Sequence, residues 1–412
     1  MPPDGWTRMR LGDFVTLQRG HDLPDEQRRP GNIPILGSFG VTGAHDQARA
    51  PGPGVTVGRS GASFGVATYS QIDFWPLNTA LYVIDFHGNH ERFAYYFLKA
   101  FDFGGYNSGS AQPSLNRNFV HPVPVLIPPP EEQRAIASIL GAIDDKIELN
   151  RRVNETLEAI ARALFKSWFV DFDPVRAKAE GRDTGLPKQI ADLFPARLID
   201  SELGEIPEGW EVDSLESTAE LIRARANPFE TPDRVFSHYS IPAFDNGQLP
   251  LAEVGINIKS MKFCVAIGTV LFSKLNPTIE RVWLVDPQPE ESAICSTEFL
   301  VLRPKAHFGR CFLYCLLRSS NFREAVNSLV TGTSNSHQRA RADGILEMLI
   351  AFPPPGLAGR FEDLARPVLA RTLANRRQSQ MLTKIRDALL PKLISGELRV
   401  RNAERIVAEA AA

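Results

Sequence analysis

The chain has 412 residues, 43% of them hydrophobic and 23% charged. That is room for about two to four domains, and the apolar content excludes wholesale disorder. Lys and Arg total 46 against 48 Asp and Glu, a formal net charge of -2, which excludes a histone-like basic tail but not a local basic surface. The four cysteines, Cys264, Cys295, Cys311 and Cys315, all lie in the second half. They make no disulfide framework and predict a reducing, cytoplasmic setting. Residues 1–10 carry no signal-peptide run. The best apolar stretch, 299–317, is interrupted by Arg303, Lys305 and Arg310, so no membrane partner is expected.

In chain order, residues 1–130 alternate short strand-like runs (Val55-Thr56-Val57, Leu81-Tyr82-Val83-Ile84) with turn residues such as Gly52-Pro53-Gly54. A helix over Phe93–Phe101 follows. This reads as a mixed, mainly β domain. A stop at Pro128-Pro129-Pro130 precedes a long helix over 131–170. Its seam steps by four and three through Ile136, Leu140, Ile143, Ile147, Asn150, Asn154, Leu157, Ala161 and Leu164. Residues 171–204 read as an ordered connector with short helices. Its aromatic entrance, Trp168-Phe169-Val170-Asp171-Phe172, is expected to pack at the base of the helices, and Asp192-Leu193-Phe194-Pro195 to dock on a neighbour.

Residues 205–355 form a second β-rich segment with strand-like Phe299-Leu300-Val301-Leu302, a turn at Asp245-Asn246-Gly247 and a helix over Arg310–Ser319. After Pro353-Pro354-Pro355, a second helix spans 356–395, with Phe361, Ala365, Val368, Thr372, Asn375, Ser379, Leu382, Arg386 and Leu389 at the same steps. A tail, 396–412, ends the chain. A period of 3.5 residues over some 30 positions predicts coiled-coil rods about 45 Å long. That length corresponds to roughly 13 base pairs of duplex.

The chain is therefore written twice. Trp6 with Leu11 recurs as Trp210 with Leu215. Asn78-Thr79-Ala80-Leu81 recurs loosely as Ser296-Thr297-Glu298-Phe299, and Tyr96-Phe97-Leu98 as Tyr314-Cys315-Leu316. The proline runs and Asn150-Arg151-Arg152 with Asn375-Arg376-Arg377 are both offset by 225. A duplicated polypeptide mimics a two-fold dimer and offers two similar surfaces to two copies of a partner.

The order and duplication of these motifs resemble the specificity subunit of type I DNA restriction-modification enzymes over nearly the whole chain. The carrying residues are Trp6 with Leu11-Gly12, Val57-Gly58-Arg59-Ser60-Gly61, Asn78-Thr79-Ala80 and Ile127-Pro128-Pro129-Pro130-Glu131-Glu132-Gln133-Arg134-Ala135-Ile136. Trp168-Phe169-Val170-Asp171-Phe172-Asp173-Pro174 and Leu390-Pro391-Lys392-Leu393-Ile394-Ser395-Gly396-Glu397-Leu398 close the two halves. The resemblance implies an α/β (α+β) fold: two target-recognition domains, 1–130 and 205–355, separated by two helices in an antiparallel coiled coil. Each domain would read half of a split, asymmetric sequence in double-stranded DNA. Two copies of a methyltransferase subunit would sit on the helices and connector, and restriction subunits would join them. This chain would carry no catalysis and bind no cofactor; the partners would use S-adenosylmethionine, ATP and Mg. The second half departs from the pattern. Gly356-Leu357-Ala358-Gly359-Arg360 replaces the Glu-Glu-Gln-Arg run, and Phe272-Ser273-Lys274-Leu275-Asn276 replaces the Arg/Gly segment. The other reading of the repeat is a duplicated coiled-coil scaffold without sequence-specific DNA binding.

Enzyme signatures are missing from the sequence: it has no P-loop, dinucleotide fingerprint or His-Glu-x-x-His, and no Asn-Pro-Pro-Tyr segment to hold a flipped adenine. Gly61-Ala62-Ser63-Phe64-Gly65 matches a nucleophile elbow, but Phe74-Trp75-Pro76 soon breaks the region. His307, Cys311 and Cys315, with Cys295, have zinc-ligand spacing, but their apolar company predicts buried packing.

Base edges and phosphates call for Arg, Lys, Asn, Gln, Ser and Thr. In the first domain the candidates are Arg19, Arg28, Arg29, Arg59, Ser60, Ser63, Asn107, Ser108, Ser110, Gln112, Asn116 and Arg117, with the Gly-rich loops 58–65 and 104–109 letting backbone approach a duplex. In the second they are Arg223, Arg225, Lys259, Lys262, Lys274, Asn276, Thr331, Thr333, Asn335, His337, Gln338, Arg339 and Arg341, with 331–341 as a polar DNA-facing loop. Residues 1–130 balance 10 basic against 10 acidic side chains. A neutral domain alone binds DNA weakly, so partner subunits are expected to close the clamp.

Overall fold

The computed structural model describes residues 5–107, 114–305, 307–330, 338–400, 402, 403 and 405. The chain forms two compact units, Met1–Glu148 with Met381–Ala412, and Leu149–Gln380.

In the first unit, Gly54–Gly58 is the buried centre of a four-stranded antiparallel sheet. It lies between Ala67–Ser70 and Ala80–Asp85, with Thr16–Arg19 outside the latter. Its sequence, Gly-Val-Thr-Val-Gly, is small and β-branched, as a strand covered on both faces requires. A three-stranded sheet sets Ile33–Gly37 antiparallel to Gly40–His45 and parallel to Trp75–Pro76. Helix Glu91–Ala100 buries Phe93, Ala94, Phe97 and Leu98, and the Phe97 ring meets Phe14 edge-on at 5.0 Å. Strands Thr7–Arg10 and Pro124–Ile127 pair antiparallel just before the first long helix.

The second unit repeats these pieces. Val270–Ser273 is flanked by Val282–Leu284 and Phe299–Pro304, with Ala219–Leu221 at the edge. Val235–Tyr239 pairs antiparallel with Leu251–Val254 and parallel with Ala293–Cys295, as its counterpart does in the first unit. Glu211–Ser214 pairs with Leu349–Phe352 before the second long helix. Helix Arg310–Arg318 takes the place of Glu91–Ala100. The Asp245-Asn246-Gly247 turn is preceded by a short helix, Ile241–Asp245, because Ser240 Oγ accepts the Ala243 N–H at 3.2 Å and caps it.

The long helices are Pro130–Phe169 and Pro355–Ile394, 40 residues each, longer than the seam alone predicts. Each begins on a proline, whose missing N–H costs nothing in a first turn. Within each unit their segments run antiparallel. In the first, Ile136, Leu140 and Ile143 share a core with Leu389 and Leu393, and Arg386 Nη1 donates to Asp144 Oδ1 at 2.8 Å. In the second, Ala161 and Phe165 share a core with Phe361, Ala365 and Leu369, and Asn150 Nδ2 donates to Ser379 Oγ at 3.2 Å. Leu157, Leu164, Val368 and Leu382 are half-buried. The buried face widens beyond the seam at Ala137, Ile139, Phe165 and Trp168, where the helices also cover a β-rich domain.

The connector holds helices Asp173–Ala179 and Lys188–Ala191 and the hairpin Leu198–Ser201 with Gly204–Pro207. Its aromatic entrance is core: Trp168 is 1% exposed and meets the Phe194 ring edge-on at 5.2 Å.

The departure in the second proline run has a structural counterpart. In the first repeat buried Gln133 accepts the His90 N–H at 2.9 Å and donates to Asn89 Oδ1 at 2.8 Å, tying the long helix to the start of Glu91–Ala100. The second repeat lacks that glutamine. Glu362, one turn further on, accepts the N–H groups of Cys311 and Phe312 at 2.9 and 3.2 Å. A carboxylate at a helix N-terminus is favoured by the free N–H groups and the dipole.

Candidate nucleic-acid interface

In the first domain a cleft of about 620 Å³ is lined by Gln18, Arg19, His21, Asp22, Arg59, Ser114, Asn116 and Arg117, among others. Its walls are strand Thr16–Arg19, the loop after Gly54–Gly58 and the start of helix Arg117–Val120. Arg59 is pinned by its backbone: its N–H donates to Thr79 O at 2.9 Å, and its carbonyl accepts the Leu115 N–H at 2.7 Å. Its side chain lines the cleft, with Nη1 donating to Asn78 O at 3.4 Å. Arg19 lies 3.8 Å from Asp22. Gly20 is required here, because a Cβ would stand 2.2 Å from Leu77 O. Burial and Arg117 hold His121 below the usual imidazole range, and its Nε2 accepts the Leu17 N–H at 3.0 Å, which requires the neutral ring.

In the second domain a cleft of about 300 Å³ is lined by Arg225, Met261, Phe263, Lys274, Thr297, Glu298 and Arg339. Lys274 is held as Arg59 is: its N–H donates to Glu298 O at 3.0 Å, and its carbonyl accepts the Ala340 N–H at 3.0 Å. The two clefts therefore occupy the same place in the repeated fold. Arg59 corresponds to Lys274, Thr79 to Glu298, and Leu115 to Ala340.

Of the residues named from the sequence, the first cleft collects Arg19, Arg59, Asn116 and Arg117, and the second Arg225, Lys274 and Arg339. Ser60 bridges Ser114, and Asn107 bridges Leu115, both partners lying in the lining of the first cleft. Arg28 and Arg29 lie elsewhere, beside Asp25 at 2.9 Å and Asp46 at 3.0 Å. Arg223 stands 3.8 Å from Asp343, and Lys259 and Arg341 are exposed outside the cleft. The Gln338 carbonyl accepts the Asn276 N–H at 2.8 Å. Ser63 and Lys262 are buried; Lys262 turns its ammonium onto Ser260, and burial lowers its pKa. Gly58 serves packing, since a Cβ there would sit 2.0 Å from Ser63 O. Ser108, Ser110, Gln112, Thr331, Thr333, Asn335 and His337 lie outside the described residues.

Gln18, His21, Ser114, Phe263 and Glu298 line the clefts without having been singled out. Glu298 sits within the repeat of Asn78-Thr79-Ala80-Leu81, but the matched hydrogen bonds shift that alignment by one residue and set Glu298 against Thr79 rather than Ala80.

The elbow match fails on geometry: buried Ser63 lies in a turn that leads into strand Ala67–Ser70, not a helix. Cys311 and Cys315 are buried with Phe312 and Leu316, whereas Cys295 belongs to another core and His307 is exposed. Burial pushes the Cys315 thiol up to about 12. Among the described residues, no group of three His, Cys, Asp or Glu is placed to hold a metal ion. None of their helices is long and apolar enough to cross a membrane.

A family model described as the type I restriction modification DNA specificity domain matches residues 3–159. The specificity subunit of the type I restriction enzyme MjaIX of Methanocaldococcus jannaschii is 28% identical over 339 residues, 77% of this chain and 71% of that protein. The HindI specificity subunit of Haemophilus influenzae is 28% identical over 349 residues, 69% of this chain and 71% of that protein. The crystal structure of the S subunit of a type I restriction-modification system from M. genitalium covers 94% of this chain and 96% of its own, with a TM-score of 0.59 at 15% identity, a likeness of fold. With the repeated sheets, the paired long helices and the matches to both relatives, the chain is similar over most of its length to the specificity subunits of type I restriction-modification systems.

Proposed function

We propose that this chain reads a split, asymmetric DNA sequence, one half in each cleft, and that its two helices set the gap between the halves. The observation that carries this is the duplicated cleft, with Arg59 and Lys274 anchored by the same pair of backbone hydrogen bonds. A cationic side chain fixed at its root and lining an open cleft suits base or phosphate contact. The cleft contents differ, so the half-sites differ. Two methyltransferase subunits bind the repeated helical surfaces, and restriction subunits join them. The partners bring S-adenosylmethionine, ATP and Mg, and close around DNA that a neutral domain grips weakly by itself.

The test is adenine-methylation mapping, by single-molecule sequencing, of DNA from cells expressing this chain with its neighbouring methyltransferase subunit, against cells lacking it. A split motif that depends on the chain is the expected result and supplies both half-sites. Methylation independent of the chain, with both proteins present and associated, overturns the proposal and favours a scaffold without DNA reading.

A further inference from the structure

We infer that the second domain reads a guanine base through Arg339, with Glu298 as the residue that aims the guanidinium; this rests on the DNA-reading function proposed above. Arg339 donates from Nε to Glu298 Oε2 at 3.1 Å and from Nη2 to Oε1 at 2.8 Å. A guanidinium has two edges that can donate in pairs. Glu298 takes the side edge, Nε with Nη2. The end-on edge, Nη1 with the second N–H of Nη2, is not used by that pair, and this is the fork whose spacing matches O6 and N7 of guanine in the major groove.

The surroundings hold the fork in place. The Arg339 side chain is 54% exposed while that of Glu298 is only 21% exposed. The carboxylate is thus sunk in the cleft and the guanidinium stands over it. The backbone on either side is fastened, Gln338 O to the Asn276 N–H at 2.8 Å and the Ala340 N–H to Lys274 O at 3.0 Å. A long side chain braced at both ends has less freedom to lose when DNA arrives. An exposed ion pair contributes little to folding, so stability does not account for this arrangement. Lys274 and Arg225, the latter 5.5 Å over the Phe263 ring, supply charge for phosphates alongside.

The first domain has neither member of the pair. Ser114 stands where Arg339 does and Thr79 where Glu298 does, by the matched hydrogen bonds of Arg59 and Lys274. Guanine reading at this register therefore belongs to the second half-site alone, and the first half-site is an internal control.

The experiment is methylation mapping of the complex carrying wild-type chain, R339A, R339K or E298Q. The wild type is expected to require guanine at one position of the second half-site. R339A is expected to lower the preference for that guanine by about 5- to 150-fold and leave the first half-site unchanged. R339K keeps the charge but lacks the fork, so it keeps methylation and loses discrimination. E298Q relaxes the same position and no other. Should R339A abolish methylation altogether, R339K and E298Q, which retain size and packing, decide the matter. A second half-site without guanine, an R339A defect equal across all four bases, or variants identical to wild type overturns the assignment to Arg339 alone. A wild-type complex that yields no split motif overturns the DNA-reading function, and this assignment with it.

Discussion

Asn375 donates from Nδ2 to Oδ1 of Asn154 at 2.8 Å, across the pair of long helices and 221 residues away in sequence. Asn154 in turn donates to Thr372 O at 3.3 Å, and Asn150 to Gln378 Oε1 at 3.0 Å and Ser379 Oγ at 3.2 Å. Asn150 and Asn375 are each 2% exposed, so this polar layer is buried and satisfied inside an otherwise apolar seam. A one-heptad slip sets Asn154 against Val368 or Leu382 and Asn375 against Ile147 or Ala161. That is how buried asparagines fix register at some cost in stability.

Replacing one partner should therefore cost more than replacing both. Asn375→Ala strands the Asn154 oxygen and is expected to destabilise the second unit by about 1–3 kcal/mol. Asn154→Leu combined with Asn375→Leu is expected to be near neutral or stabilising. Urea denaturation of the two variants checks the order; a double variant weaker than the single one refutes it.

Glu158 lies between Arg318 and Arg376, at 2.6 Å from each, and all three side chains are at most 15% exposed. Glu158→Ala leaves buried Arg376 without its carboxylate, while Arg318 keeps Glu280 at 2.5 Å, and should cost about 3–5 kcal/mol. The loss should change little between 0.1 and 0.5 M salt, because buried pairs are poorly screened. Thermal unfolding at two salt concentrations measures both.

The neutral His121 ring predicts a pH dependence. Its folded pKa is depressed by burial and Arg117, so on acidification the unfolded chain takes up the proton first. Stability contributed by His121 is complete above the unfolded value of about 6.5 and is lost as pH falls from there toward the folded value. His121→Gln, whose side-chain oxygen can accept the Leu17 N–H, should flatten the dependence of stability between pH 7 and 5. Chemical denaturation across that range, for both proteins, is the measurement.

If the first cleft binds DNA as proposed, Arg59→Ala removes a cation without touching the backbone bonds that build the cleft. A phosphate contact predicts weaker binding to all duplexes and a salt slope shallower by roughly 0.9. A base contact predicts relaxed specificity at one position of the first half-site. Salt titration of the complex on its cognate duplex, alongside methylation mapping, separates the two. No change in either refutes a DNA contact by Arg59.

Much of the architecture was legible in the residues. The 225-residue offset between proline runs and the matching Asn150 and Asn375 describe two helices that begin and pair alike, because helix starts and seams are local, periodic signals. The aromatic run Trp168–Phe172 announced its own burial. The clefts were less legible. Arg19, Arg59 and Arg117 come together from three separate segments, whereas Arg28 and Arg29, chosen by the same residue type, fold toward Asp25 and Asp46 instead. Lys262 and Ser63 have DNA-contacting chemistry and buried positions.

The duplication, the alternation of β-rich domain and long helix, and the polar middle of the seam can all be read from spacing along one chain. Folding in three dimensions brings Glu298 to Arg339, 41 residues on, puts Glu362 in the role of the missing glutamine, and makes Arg59 and Lys274 counterparts. Those relations are set by which strand edges lie side by side, and strand register between distant segments comes from packing rather than from any local periodicity.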